Sequence, residues 1–317
     1  MTPSNRPWLA YLCLASAMAL VGAYVGLSKL LVAVFPVFLL AWLRFGIAAV
    51  AMATWTRRAV GEAPLSPRDR KLLFIESFFG NFLFSICMLY GMALTSALAA
   101  GVTMAAIPAM VALLSRLLLK ERIAPRTVVG IACAVGGIAL VSFAQHAGGN
   151  TSGTSNTGSA SSTLLGNLML MAAVTCEAIY VVVGKKLTGK VAPKRISALI
   201  NLWGLALVTP LGIWQALRFD FSAVAPASWG LLVFYAVAAS MVTVWLWMTG
   251  LKQVPASNAG VFTVLLPIAA AAVGVGFLGE RISAYQAAAF ALALLGVVLA
   301  TWPSSERSDT LTASKAR

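Results

Sequence analysis

Charge is scarce in this chain. Of 317 residues only 10% are Asp, Glu, Lys or Arg, nine are acidic, and there is one histidine. Soluble globular domains carry about 25% charged residues, so they are excluded, although the length would allow one to three of them. Disorder needs low hydrophobicity and is excluded by a chain that is 60% hydrophobic. His146 alone builds no metal cluster. Cys13, Cys87, Cys133 and Cys176 fall in apolar stretches without CxxC spacing and read as small buried apolar residues. No Walker loop, nucleophile elbow or HExxH motif occurs. ATP-driven transport by this chain alone, metal hydrolysis and nucleophilic catalysis therefore lack their residues, and no cofactor is expected.

The charge that is present has one dominant sign: 23 Lys+Arg face 9 Asp+Glu, for a formal net charge of +14. In a soluble protein this would point to nucleic acid. The chain is too apolar for that, so no nucleic-acid partner is expected and the basic residues need another role.

Long apolar runs supply it. A helix crosses a bilayer with about 20 mainly apolar residues. Ten such runs occupy 8–27, 36–55, 72–94, 97–119, 127–145, 163–184, 195–217, 228–250, 257–278 and 284–302. Barrel strands would be segments of ~10 alternating residues; these runs are continuous, so helices are predicted. The first run is longer than the 7–15-residue core of a signal peptide and is expected to stay as a span. Turn and charge signals separate the runs, among them Pro36, Arg57-Arg58, Lys120-Glu121-Arg122, Lys185-Lys186 and Glu280-Arg281.

With the N-terminus in the cytoplasm, 18 of the 23 basic residues fall on that side. They are Arg6, Arg57, Arg58, Arg68, Arg70, Lys71, Lys120, Arg122, Arg126, Lys185, Lys186, Lys190, Lys194, Arg195, Lys252, Arg307, Lys315 and Arg317. Lys29, Arg218 and Arg281 lie opposite, and Arg44 and Arg116 lie within runs. This is a strong positive-inside asymmetry. It predicts both termini inside, which requires an even number of spans.

Residues 147–162 (AGGNTSGTSNTGSASS... ending at Ser162) are uncharged and rich in Gly, Ser, Thr and Asn, the composition of a flexible linker. They divide the chain into 1–146 and 163–302, five runs each, followed by a tail at 303–317. The halves resemble each other. Gly91 and Gly250, Gly101 and Gly260, Pro108 and Pro267, Glu121 and Glu280, and Gly137 and Gly296 are each 159 residues apart (250 − 91, for example). Lys29 and Lys186, and Pro36 and Pro193, are 157 apart (186 − 29). An odd number of spans per half places the halves in opposite orientations, an inverted-topology repeat with a substrate site where the halves meet.

Three stretches carry a family resemblance. AAGVTMAAIPAMVALLSRLLLKERIAPRTVVGIACAVGGIALV (99–141) and SNAGVFTVLLPIAAAAVGVGFLGERISAYQAAAFALALLGVVLA (257–300) resemble the two EamA domains of the drug/metabolite transporter superfamily. AWLRFGIAA around Arg44 is similar to the second-span motif of those domains. The resemblance covers nearly the whole chain. It implies an all-α polytopic protein of ten transmembrane helices in two inverted five-helix repeats, sited in the plasma membrane (the inner membrane of a bacterium). It also implies export of amino acids or related metabolites, with nucleotide-sugar or drug/cation transport as the alternative within the superfamily. Family members often carry Trp in the first span of each repeat, where this chain has Val21 and Glu177.

Ionisable groups inside a bilayer are costly, about 2.5–3.5 kcal/mol for a central charge, so the few present are the candidates for a substrate or proton pathway. Glu177 lies within the sixth run and suits a proton carrier, or else a structural pair with a basic residue such as Arg44. The superfamily's small multidrug members also use a membrane Glu in their first helix. Arg44 can bind a carboxylate through two N–H groups, or tie down helix ends. Arg116 is expected to snorkel to the headgroups. Glu76, near the cytoplasmic edge, is expected to reach water or a nearby Arg. Asn81, with Ser85 on the same helical face, and Asn201 are candidates for lining a cavity. Tyr24, Tyr180, Tyr235, Trp245 and Trp247 either enclose a substrate or form interfacial belts; Tyr180, one turn from Glu177, is favoured by position. Pro108 and Pro267 are expected to kink equivalent helices, as hinges or as packing features.

An intramembrane enzyme would need a cluster of acids, His or metal ligands, and a channel a polar ring; neither is present in the sequence. The expectation is a secondary transporter and not an enzyme, with a small-molecule substrate, the lipid bilayer as its surroundings, and a monomeric or weakly homodimeric state.

Overall fold

A computed structural model describes residues 7–57, 64–119, 128–130, 132–133, 136–137, 140, 160–184, 191–251, 262–263 and 265–301. Among these residues all regular structure is helical. The helices are α1 (Pro7–Val32), α2 (Val37–Ala51), α3 (Pro67–Ser77), α4 (Phe84–Leu94), α5 (Ala97–Met104), α6 (Ile107–Leu119), α7 (Ala160–Gly184), α8 (Pro193–Ala216), α9 (Pro226–Val237), α10 (Thr243–Leu251), α11 (Leu265–Gly276) and α12 (Ala284–Thr301). Most of the linker, the Glu121-Arg122 pair, His146 and the tail lie outside the described residues.

Local chemistry explains several helix starts. Ser66 caps α3: its hydroxyl accepts from the Asp69 N–H at 3.1 Å, and the Asp69 carboxylate accepts back from the Ser66 N–H. Pro67, Pro193 and Pro226 occupy first turns, where a missing N–H costs nothing. α2 ends at Ala51 because the chain tightens into a 3₁₀ turn over Ala53–Thr56, closed by the Thr56 hydroxyl donating to the Ala53 carbonyl at 2.7 Å. α7 begins at Ala160, so the end of the expected linker is already helical.

Among the described residues, five stretches are long and apolar enough to cross a membrane: Trp8–Val32, Pro67–Leu94, Ser162–Tyr180, Lys194–Ala216 and Pro226–Trp247. Shorter apolar helices cover Val37–Ala51, Ala97–Val111, Leu265–Gly276 and Ala284–Leu299. The architecture is that of a polytopic membrane protein.

Two features depart from simple spanning helices. The run 97–119 is broken, not kinked: α5 stops at Met104, Ala105-Ala106 form a turn, and α6 starts at Ile107. Pro108 is the reason, because it has no N–H to donate to the Met104 carbonyl and its ring clashes there. It is tolerated in the first turn of the new helix. Pro267 likewise lies in the first turn of α11. Second, α3 and α4 are joined by a π-helical segment, Phe78–Leu83, and α9 and α10 by another, Ala238–Val242. The two segments sit at matching positions in the halves, since Gly80 and Ala239 are 159 residues apart (239 − 80).

The most extensive packing runs between the halves: α1 on α11 and α10, α2 on α8, α4 on α7, and α5 on α11. The main core draws on both, with Leu40, Phe45, Met88, Leu170, Val174 and Tyr235 in one cluster. Small residues set the closest approaches. A methyl group on Gly22 would run into the Leu266 carbonyl, and one on Gly26 would lie 2.8 Å from a methyl of Val273. In lipid no hydrophobic drive brings helices together, so close backbone packing of this kind does.

Gly22→Ala should therefore lower the melting temperature of the detergent-solubilised protein. Gly46, with open space around it, is the control: Gly46→Ala should raise stability by roughly 0.5–1 kcal/mol through helix propensity. Equal effects at the two positions would contradict the α1–α11 contact.

Candidate functional site

A cavity of about 320 Å³ opens between the halves. Arg44, Asn81, Glu177, Tyr180 and Asn201 all line it, so the structure brings together the five polar residues singled out from the sequence. Pro108 lies on its wall, whereas Pro267 is buried and does not line it. The remaining wall is mostly apolar, with Met18, Val21, Phe84 and Met104 among its residues.

Irregular backbone positions several of these groups. The first π-helical segment supplies Gly80 and Asn81, and the second supplies Ala239 and Ser240. π-bulges often occur at functional sites. The polar lining residues also come in pairs with near-constant spacing. Arg44 and Asn201 are 157 apart (201 − 44), Asn81 and Ser240 are 159 apart (240 − 81), and Tyr24 and Tyr180 are 156 apart (180 − 24).

A hydrogen-bond network fixes Arg44. Its Nη2 donates to Asn81 Oδ1 at 3.2 Å and its Nη1 to the Tyr235 hydroxyl at 3.3 Å. The guanidinium also lies 4.6 Å from the centre of the Phe45 ring and 5.5 Å from that of Tyr235. Asn81 Nδ2 donates to the Ile200 carbonyl, and Asn201 Nδ2 to the Phe45 carbonyl, each at 3.0 Å. The network thus joins α2, the first π segment, α8 and α9. It leaves Arg44 Nε, Asn201 Oδ1, Ser240 Oγ and Thr243 Oγ1 buried without a hydrogen-bond partner, and all four residues line the cavity. Buried polar groups of this kind each call for an explanation, and a bound polar ligand is one.

Other expectations are corrected. Ser85, four residues after Asn81, is buried but does not line the cavity. Glu76 is buried, 3% exposed with Oε2 unpartnered, and among the described residues no ion pair joins it to an arginine. Tyr24 and Trp247 line the cavity and Tyr235 is buried against Arg44, whereas Trp245 is 49% exposed and points outward. The Arg116 side chain lies outside the described residues. Ser240 and Thr243 were not singled out from the sequence; only the spacing that pairs Ser240 with Asn81 could have flagged one of them.

Glu280 ties the start of α5 to the second half of the chain. Its Oε1 accepts from the Ala97 N–H at 2.8 Å and its Oε2 from the Leu98 N–H at 3.0 Å, capping α5. Lys29 Nζ sits 3.4 Å from Oε1 and donates to the Thr95 carbonyl at 2.7 Å. Glu280 reaches this position because Gly279 adopts φ +66°, turning the chain back so that the Glu280 N–H donates to the Gly274 carbonyl at 2.9 Å. The left-handed region suits glycine because it has no Cβ to clash.

Long apolar helices around a central cavity define a polytopic helical membrane protein. The profile of the EamA-like transporter family matches residues 8–143 and again 164–302. The chain belongs to the EamA-like transporter family. It is 35% identical over 262 residues to YetK of Bacillus subtilis (strain 168), described as an uncharacterized transporter, covering 82% of this chain and 77% of that one. YyaM from the same organism, also described as an uncharacterized transporter, is 26% identical over 293 residues, with 92% and 93% covered. A solved crystal structure shares the fold at a TM-score of 0.60 and 19% identity, over 94% of this chain and 97% of that one.

Glu280→Ala should destabilise the purified protein by roughly 1–3 kcal/mol, because two buried N–H groups lose their acceptor. Glu280→Gln, which keeps an acceptor oxygen, should lose less. A thermal-shift assay in detergent checks both, and no difference from wild type would rule out the cap.

Proposed function

We propose that the protein is a secondary transporter that exports amino acids or related small metabolites through this cavity. The observation that carries the proposal is the pairing of a cation, Arg44, with a carboxyl, Glu177, on the wall of one otherwise apolar cavity. Arg44 Nε and the hydroxyls of Ser240 and Thr243 have capacity to receive a carboxylate. Glu177 and Asn201 Oδ1 suit an ammonium group. Met18, Val21 and Trp247 offer an apolar wall for a side chain. The volume stands near the lower end of the ~300–1,000 Å³ usual for ligand pockets. That favours a small metabolite over a nucleotide sugar, and Arg44 disfavours a lipophilic cation.

The mechanism that fits is alternating access by two inverted five-helix repeats, in a ten-helix protein of the bacterial inner membrane with both termini in the cytoplasm. The even spacing of the paired lining residues supports it, as does the basic-residue asymmetry. The chain then spans the bilayer as 1–146 and 163–302, joined through an external linker. Substrate moves without chemical change, so the protein is not an enzyme. In this scheme the Glu280–Lys29 clamp closes the external end and breaks when the cavity opens outward. Glu177 carries the proton that couples movement to the gradient.

Efflux from proteoliposomes loaded with leucine, phenylalanine and other amino acids, with and without a pH gradient, tests the proposal. Wild type should release apolar amino acids faster than their carboxamides by tenfold or more, about 1.4 kcal/mol of discrimination. Arg44→Lys should abolish that preference, since an ammonium lacks the two-pronged geometry. Glu177→Gln should abolish the response to the pH gradient. Equal passage of acids and carboxamides would remove Arg44 from the site, and intact pH dependence in Glu177→Gln would remove the coupling role.

A further inference from the structure

Gly80 lies on the cavity wall, and its backbone gives no reason for a glycine. It sits inside the π-helical segment Phe78–Leu83, and among the described glycines only Gly279 has a positive φ. Its counterpart in the second half, 159 residues on (239 − 80), is Ala239, inside the other π segment. A π segment therefore accepts a side chain at this position. Within a helix alanine is also favoured over glycine, so the absence of a side chain at Gly80 has another cause.

That cause is Tyr180. A methyl group on Gly80 would lie 2.6 Å from Tyr180 Cβ and 2.5 Å from its Cγ, far inside the ~3.5–4.0 Å at which carbon atoms attract. These are the inner atoms of the side chain. A change of rotamer leaves Cβ where it is, so only the backbone can give way. The contact joins the two halves, since α7 packs on the first π segment. It also lies beside groups at both ends of the binding site. Asn81 directly follows Gly80 and accepts from Arg44. Glu177 precedes Tyr180 on α7 by three residues, about one turn.

The two sides of the contact differ in their freedom to move. Ser77 and Asn81, which flank Gly80, both donate to the Ile200 carbonyl, at 2.7 and 3.0 Å, and pin the π segment to α8. Asn81 is further seated over Gly204 of α8, where a methyl group would lie 3.1 Å from Nδ2. A side chain at position 80 thus moves α7, and with it Glu177, away from the π segment.

We propose that Gly80 is a positioning residue that sets how far Glu177 stands from the Arg44–Asn81 network, and thereby the length of zwitterion that the cavity accepts. The proposal rests on reading Arg44 and Glu177 as the sites for the two ends of an amino acid. The bare α-carbon of Gly80 lets α7 approach to the separation that suits an α-amino acid. A methyl group there widens the gap toward a ligand with one more methylene between ammonium and carboxylate.

Efflux from proteoliposomes of leucine and of β-homoleucine, which has that extra methylene, tests the proposal. Wild type should favour leucine by about tenfold or more, the scale on which a pocket discriminates one methylene. Gly80→Ala should cut that preference by about tenfold or reverse it. Gly91→Ala is the control for lost stability alone. It also crowds α7, but against outer atoms of Leu170 and away from the cavity lining, so its ratio should stay at the wild-type value. Tyr180→Gly removes the obstructing side chain. In that background Gly80→Ala should leave the ratio where Tyr180→Gly alone puts it, and should fold even if Gly80→Ala alone does not. A wild type without preference for leucine, an equal change in Gly91→Ala, or a double variant that fails to fold where Tyr180→Gly folds overturns the proposal. Wild type that releases neither compound overturns the amino-acid reading and the spacing proposal with it. Wild-type release with an unchanged ratio in Gly80→Ala overturns the spacing proposal alone.

Discussion

A helix that begins inside an apolar surrounding exposes N–H groups that no water can satisfy. α5 begins on the buried residues Ala97 and Leu98, and the carboxylate that satisfies their N–H groups belongs to the other half of the chain. Glu280 is thereby committed on three sides, to two backbone donors and to Lys29. The same device recurs at α2, where the Leu39 N–H donates to the side chain of Gln215 on α8 at 2.8 Å. In both cases a side chain of the second half completes a helix start of the first, which ties the two halves together. Hydrophobic burial alone would not choose that arrangement, because lipid satisfies apolar side chains as well as protein does.

The cavity follows from a related constraint. A regular helix satisfies its own backbone and presents nothing polar but its side chains. Two π segments and the break ahead of Pro108 interrupt that regularity at the depth of the cavity. Irregular backbone is tolerated in a membrane only where protein or a cavity covers it. Here Ser77 and Asn81 both donate to the Ile200 carbonyl across the helix boundary, at 2.7 and 3.0 Å. The polar groups that line the cavity are therefore also the groups that hold its irregular walls together.

This division explains what could be read from the sequence. Arg44, Glu177, Asn81 and Asn201 stand out because a charged or amide side chain in an apolar run has few places to go, and all four line the cavity. The π segment that carries Asn81 was not legible, because nothing in FFGNFL distinguishes it from a regular α-helix. Pro108 was readable as a disturbance, but whether a proline kinks or breaks a helix depends on the packing around it. The Glu-Arg signature was legible as a repeat, yet its task was not: the Ala97 donor lies 183 residues away from Glu280 in the chain. Glu76 was expected near water because span ends are uncertain by a few residues, and one turn decides whether a carboxyl is wet or buried.

The paired lining residues share their placement and differ in their chemistry. Arg44 is matched by Asn201, Tyr24 by Tyr180, and Val21 by Glu177, which are 156 apart (177 − 21). Two identical halves would place the same group at both members of each pair and surround a ligand with equivalent chemistry. A carboxyl on one wall with only valine opposite, and a guanidinium on another with only an amide opposite, give the cavity a direction. On the proposed transport reading, a ligand with a positive and a negative end would take one orientation in such a cavity, while the paired positions keep their near-constant spacing. Joining the halves in one chain makes this possible, because each half is free to carry a different side chain at the same structural position.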